Sequence, residues 1–302
     1  MIDISGENVV LVGALLLFVA VMAGKVAYRF GAPALLLFLG VGMLFGLDFI
    51  SYRSVDMTQF VGMIALCIIL FTGGMDTSFQ EIKPIIGPGV VLATVGVVMT
   101  AVVLAGFVWL IAPWIGLQIS FPLALLLAST MSSTDSASVF SILRSKKQGL
   151  KQHLRPLLEL ESGSNDPMAY MMTILLISIV TNTSGGVGMG MSIVYFVIQM
   201  IVGALSGYLI GRLAVWTINK INLANHSLYS VLLLAFIFFA FAFTDLVRGN
   251  GYLAVYLAGL VVGNHKLTQK RSLTVFFDGF TWLMQIVMFL TLGLFVNSDE
   301  LF

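Results

Sequence analysis

Charged residues are scarce in this chain of 302 residues. They make up 10% of the sequence, against 59% hydrophobic residues, and the mean hydropathy is +1.04. Soluble domains carry about 25% charged residues. A sequence with so few charges has too little polar surface to cover a core in water, so we predict that it lies in a membrane. The net charge of +1 gives no indication of a nucleic-acid partner.

The sequence also has only one cysteine and lacks the common enzyme motifs. The single cysteine, Cys67, lies in an apolar run, which excludes a disulfide within the sequence and a metal cluster held by thiolates. The intramembrane protease motifs HExxH and GxGD are absent, as is a glycine-rich loop for phosphate. We therefore expect no cofactor and no enzymatic activity. The first residues lack a basic region and a cleavage site, so no cleaved signal peptide is expected.

Long apolar runs dominate the sequence instead. A helix that spans a membrane needs about 20 mainly apolar residues. We predict ten spans, of which the second and ninth are short: 7–24, 32–47, 57–75, 86–112, 121–142, 154–180, 190–219, 227–246, 250–264 and 274–296. This pattern predicts an all-α, polytopic helix bundle that forms one transmembrane domain over residues 1–302.

The basic residues predict how these spans are oriented. With the N-terminus outside, all of the 15 lysines and arginines except Arg53 and Arg248 fall in loops on the inner side. This distribution satisfies the positive-inside rule. We therefore expect a multi-pass protein of the cell's inner (plasma) membrane with both ends of the chain outside. Asp245 and Arg248 lie together at an outer boundary.

Glycines spaced four residues apart predict where helices pack closely. Three lie on the seventh span, and two further pairs follow the same spacing: Gly203, Gly207 and Gly211, then Gly42 with Gly46, and Gly259 with Gly263. Such spacing lets two helix backbones approach each other in a membrane. We expect all three sets to form helix–helix contacts.

A polar stretch interrupts the fifth predicted span. Eight of the ten residues from Ser129 to Ser138 are Ser, Thr or Asp. These side chains compete for backbone hydrogen bonds and weaken helices. We predict a broken helix whose unwound carbonyls, near Thr134, can bind a cation, with Asp135 supporting a half-helix N-terminus. The alternative is a continuous helix in which the hydroxyls bond to the preceding turn.

A second polar stretch lies in the sixth span. Glu161 and Asn165 are four residues apart, as are Ser162 and Asp166, so the two pairs line adjacent strips of one helix face. Pro167 has no N–H, which frees a carbonyl and favours a local distortion. Carboxylate, amide and hydroxyl oxygens suit an alkali cation rather than a transition metal. The alternatives are an ion pair of Asp166 with a basic residue and a structural ion pair for Glu161.

These two stretches carry a family resemblance. Residues 133–137 (STDSA), followed by 161–167 (ESGSNDP), resemble the NhaP branch of the cation:proton antiporters. The longer run 156–167 (PLLELESGSNDP) is similar to the bacterial potassium/proton members, as are 253–259 (LAVYLAG) and 277–279 (FDG). The resemblance implies inverted repeats, a mobile core and a homodimer.

The resemblance also implies roles for individual residues. Asp166 would bind the cation or the proton, and Asn165 would support the site. Ser162 and the backbone of Thr134 would be ligands of the alkali cation. Glu161 would pair with an arginine on a later helix.

The sequence departs from the family pattern in two places. Thr72 stands where the family often has a carboxylate. The sequence also ends at Phe302, before the later helices and any cytoplasmic regulatory domain of that family, so we expect the chain to be incomplete at its C-terminus.

These observations favour a secondary transporter that exchanges K⁺ or Na⁺ for H⁺. Asn165 cannot titrate, so Asp166 is the single carboxylate at its position and holds either one proton or one monovalent cation. Burial disfavours its charged form, which lets the two compete, and the exchange is expected to be electroneutral. The alternatives are a sodium-coupled symporter of an organic solute and a structural or sensor protein that transports nothing. The expected partners are the cation, the proton, the lipid bilayer and a second copy of the chain.

Overall fold

The computed structural model describes residues 6–30, 34–48, 54–134, 139, 154–181 and 189–296. Within these residues the secondary structure consists of helices and turns, without strands. The helices form ten segments, one for each predicted span. The prediction of an all-α bundle with about ten helices is therefore confirmed.

The α-helices are, in chain order, α1 (Gly6–Phe30), α2 (Ala34–Asp48), α3 (Val55–Asp76), α4 (Phe79–Ile82), α5 (Ile86–Val91), α6 (Val97–Ile111), α7 (Phe121–Thr130), α8 (Leu154–Val180), α9 (Met189–Lys220), α10 (Leu228–Leu246), α11 (Gly251–Gly263) and α12 (Lys270–Phe295). Short 3₁₀ and π-helical turns join α4, α5 and α6 into one segment, Phe79–Ile115. Five of the described helical segments are long and apolar enough to cross a membrane.

The chain divides into two compact units. The first comprises Met1–Ile69 and Arg271–Phe302. Within it α2 and α12 touch through glycines, because a Cβ added at Gly42 or Gly293 would overlap the backbone of the other helix. The contact predicted for Gly42 and Gly46 is confirmed.

The second unit, Leu70–Lys270, contains both polar stretches. Three glycines of α9 face the α11 region at positions that are also four residues apart. Gly203, Gly207 and Gly211 face Asn250, which precedes α11, and Ala254 and Ala258 within it. The predicted glycine contacts of α9 are therefore confirmed. Close packing of this kind leaves room only for a hydrogen in place of each side chain.

Helix α11 lies inside this unit. Gly259 and Gly263 pack against the last two turns of α3, where any Cβ would overlap the backbone of Phe71 or Met75. Most residues of α11 are buried, which agrees with its short length, since a helix enclosed by protein need not match the thickness of a bilayer. Asn250 caps the helix, because its Oδ1 accepts a hydrogen bond of 3.0 Å from the Leu253 amide.

Candidate cation site

The first polar stretch ends helix α7. The helix stops at Thr130, and residues 131–134 are not helical. The amides of Met131 and Ser132 donate to carbonyls three residues earlier, at 3.1 and 3.4 Å, as in the last turn of a helix. The Ser132 hydroxyl also bonds to a backbone carbonyl, at 2.8 Å. The predicted break is therefore confirmed as far as Thr134. Asp135 lies outside the described residues.

The second polar stretch lies on α8, which runs through Pro167 without a break. The distortion predicted at this proline thus does not interrupt the helix. Gly163 has another role. It lies against the ring of Tyr256 on α11, and a Cβ at Gly163 would overlap that ring. The glycine is needed for the close approach of α8 and α11.

A hydrogen-bond network joins the two stretches. The Asn165 Nδ2 group donates to the Thr134 hydroxyl at 2.6 Å and to Glu161 Oε1 at 2.8 Å. The hydroxyls of Thr134 and Ser162 lie 3.1 Å apart. Both also lie within reach of Glu161 Oε2, at 3.3 and 3.2 Å. Four of the residues predicted for the site are therefore neighbours in the structure.

Asn165 has a buried acceptor oxygen without a hydrogen-bond partner among the described residues. The residue is fully buried, and its Nδ2 group must face Glu161, because a carboxylate accepts hydrogen bonds and does not donate them. Among the described residues its Oδ1 has no hydrogen-bond partner. A buried acceptor without a partner costs about 1–3 kcal/mol. A bound cation would remove this cost.

Asp166 follows Asn165 on α8 and is half-buried. Its carboxylate lies four residues after Ser162, one turn along the same helix face. A monovalent cation at this position could be bound by the Asp166 carboxylate, the Ser162 and Thr134 oxygens and Asn165 Oδ1. All of these are hard oxygen ligands. The assignment of these residues as ligands stays a prediction.

Two buried residues near the site escaped the sequence analysis. Asn250 donates from Nδ2 to the Pro167 carbonyl at 3.2 Å, and Tyr256 covers Gly163. The position of Asn250 just before an apolar helix was a signal for a helix cap. Its contact with α8, 83 residues earlier in the chain, had no signal in the linear sequence.

An ion pair lies two turns before Asp166. Arg155 Nε and Glu159 Oε1 are 2.9 Å apart, with 10% of the Glu159 side chain exposed. The residues are four apart on α8, a spacing that favours such pairs. This pair gives Glu159 a structural role.

Residues 14–302 match the family described as sodium/hydrogen exchanger, transmembrane. The chain is 40% identical over 296 residues to the K(+)/H(+) antiporter NhaP of Alkalimonas amylolytica, covering 97% of this chain and 50% of that protein. It is 35% identical over 294 residues to the K(+)/H(+) antiporter NhaP2 of Shewanella sp. strain ANA-3, covering 96% of this chain and 50% of that protein. The chain thus spans about half the length of these relatives.

A solved structure has the same fold. The sodium proton antiporter MjNhaP1 from Methanocaldococcus jannaschii, at pH 8, matches with a TM-score of 0.77 at 20% identity. The match covers 98% of this chain and 72% of that one.

Proposed function

Because this chain belongs to the sodium/hydrogen exchanger family, we propose that the protein is a secondary transporter that exchanges K⁺ or Na⁺ for H⁺. The observation that carries the proposal is the oxygen-lined network of Thr134, Glu161, Ser162 and Asn165. Its buried acceptor Asn165 Oδ1 has no hydrogen-bond partner in the part of the chain that the structure describes. Relatives of 40% and 35% identity are named K(+)/H(+) antiporters, which favours K⁺. Cation-dependent proton flux in proteoliposomes that contain the full protein tests the proposal.

Asp166 is the residue at which the cation and the proton compete. It holds one or the other, and both carry a single positive charge, so the Asp166 side chain is neutralised in either loaded form. A neutral site crosses a low-dielectric barrier far more easily than a bare carboxylate. Movement of the loaded site alone therefore couples the two fluxes. The gradient supplies the energy, and no cofactor is needed.

The neighbouring residues shape this site. Ser162 and Thr134 provide further oxygen ligands, the latter from its backbone. Asn165 is held by its two donated hydrogen bonds, which aim Oδ1 away from Glu161. Glu161 accepts one of these hydrogen bonds and, with Asp135, supports the site. The sequence resemblance supports a homodimer. The distribution of basic residues supports a position in the inner membrane with the N-terminus outside.

Replacement of Thr134 by Val should raise the KM for the transported cation about tenfold, because the Asn165 amide then loses its 2.6 Å acceptor at a cost of about 1–3 kcal/mol. Thr134→Ser keeps the hydroxyl and should behave like the wild type. Thr130→Val is the matched control, since the Thr130 hydroxyl bonds to the Leu127 carbonyl of its own helix. Initial rates of proton flux against cation concentration give the three KM values. An unchanged KM for Thr134→Val would remove its side chain from the site.

Exchange by the wild-type protein should be electroneutral, because one titrating carboxylate at Asp166 trades one positive charge for another. An imposed membrane potential should leave its rate unchanged. Asn165→Asp adds a second carboxylate that can carry a further proton, so the same potential should drive exchange by this variant. Proton flux in proteoliposomes under a potential imposed by a gradient of a permeant anion, without a K⁺ ionophore, measures both. A wild-type rate that follows the potential would contradict a cycle with one carboxylate.

A further inference from the structure

A cavity of about 240 Å³ lies between α8, α9, α10 and α11. Aromatic rings line part of it, including Tyr170 and Tyr252, which pack edge to face at 5.2 Å. Its polar lining includes Gln199, Asp245 and Arg248. Such a space has room for a cation with several of its water molecules.

The cavity adjoins the candidate cation site. Tyr170 follows Asp166 by four residues on α8, so the two lie on one strip of the helix, about 6 Å apart along its axis. Asn250, another lining residue, donates to the carbonyl of Pro167 at 3.2 Å. One helical turn therefore separates the cavity from Asp166.

The two charged residues at the cavity, Asp245 and Arg248, lie at positions that lower the stability of the fold. Asp245 lies in the last turn of α10, where the helix dipole disfavours a carboxylate by about 0.3–1 kcal/mol. Asp245 and Tyr170 both line the cavity. Arg248 has a φ of 58°, a left-handed backbone conformation that residues other than glycine rarely adopt. Helix stability alone would favour neither residue at its position.

We propose that this cavity is the outer vestibule of the transport pathway, in which Asp245 attracts a hydrated alkali cation and Arg248 opposes it. The inference rests on the proposed function and on the proposed orientation, which places the end of α10 outside. A cleft lined by low-dielectric walls focuses the field of its charges and raises the local concentration of counter-ions. The two residues together set the affinity for cations on the outer face.

Removal of the two charges should change the outer KM for the cation in opposite directions. Asp245→Asn should raise the KM for a cation supplied from outside about tenfold, whereas Arg248→Gln should lower it. The kcat and the KM from inside should stay unchanged in both. Lys266→Gln is the matched control, because it removes one positive charge from an exposed residue of a predicted inner loop. The measurement is proton flux by oriented proteoliposomes with K⁺ or Na⁺ on one side only.

A second measurement does not depend on transport. Gln199→Cys, in a protein with all other cysteines replaced, is exposed from outside to impermeant thiosulfonates, one cationic and one anionic. The ratio of cationic to anionic labelling rates should fall with Asp245→Asn and rise with Arg248→Gln. If the wild type shows no cation-dependent flux but the ratios change as described, the proposed function fails, and only the effect of Asp245 and Arg248 on ions that enter the cavity is supported.

Three outcomes would contradict the proposal of an outer vestibule. The first is an outer KM that neither variant changes, as expected for a solvated helix end. The second is the same change on both faces of the membrane. The third is a labelling ratio at position 199 that is independent of Asp245 and Arg248.

Discussion

Asp166→Asn is expected to abolish exchange and leave the protein folded. Asparagine keeps the size and shape of the side chain, but it holds neither a negative charge nor an exchangeable proton at this position. The variant therefore lacks the group that the cation and the proton are proposed to neutralise in turn. Cation-driven proton flux in proteoliposomes measures the loss directly.

The control for this variant is the same change at a carboxylate outside both polar stretches. Asp56 is exposed in the first turn of α3, and Asp56→Asn should exchange at the wild-type rate. Thermal unfolding in detergent shows whether each variant is folded. Substantial exchange by a folded Asp166→Asn protein would remove Asp166 from the site and leave Glu161 or Asp135 as the titrating group.

Gly259→Ala should unfold the second unit or lower its stability strongly. The added Cβ would overlap the carbonyl oxygen of Phe71 on α3. Overpacking of a core costs about 1–3 kcal/mol when side chains can shift. Here the obstructing atom belongs to the backbone of a helix, so the cost should lie at or above that range. A thermal melt followed by the intrinsic tryptophan fluorescence measures it.

Gly106→Ala separates this contact from the general effect of replacing a glycine in a helix. A Cβ at Gly106 meets no atom within 4 Å, and alanine is the better helix former by about 1 kcal/mol. That variant should be as stable as the wild type or more so. Equal melting temperatures for the two variants would contradict the close packing of α11 on α3.

The helices could be predicted because their signal is local. Apolar runs of the length of a bilayer predict the number of helical segments without knowledge of tertiary contacts. The orientation that the basic residues indicate stays a prediction. The break after Thr130 was also predictable, since eight hydroxyl or acidic residues in ten weaken a helix wherever it lies. The glycine contacts were predictable for the same reason, because a four-residue spacing is also a local pattern.

The contacts that position the site were not predictable. Gly163 and Pro167 together suggested a distorted helix, yet α8 continues, and the glycine accommodates the ring of Tyr256. That ring comes from a helix about 90 residues later in the chain. Asn250 likewise reaches α8 from the start of α11. Such contacts depend on which helices become neighbours, and a single sequence carries no signal for that choice.

The dependence of cation affinity on pH tests the central claim most directly. If one proton and one cation compete for Asp166, a bound proton excludes the cation, and the apparent KM for the cation rises with the proton concentration. In the acidic range the KM of the wild-type protein for the cation should then rise tenfold for each unit by which the pH falls, with an unchanged maximal rate. Initial rates of exchange, measured in proteoliposomes at several pH values and cation concentrations, give both quantities. A KM that stays constant while the maximal rate falls with pH would contradict competition at one carboxylate.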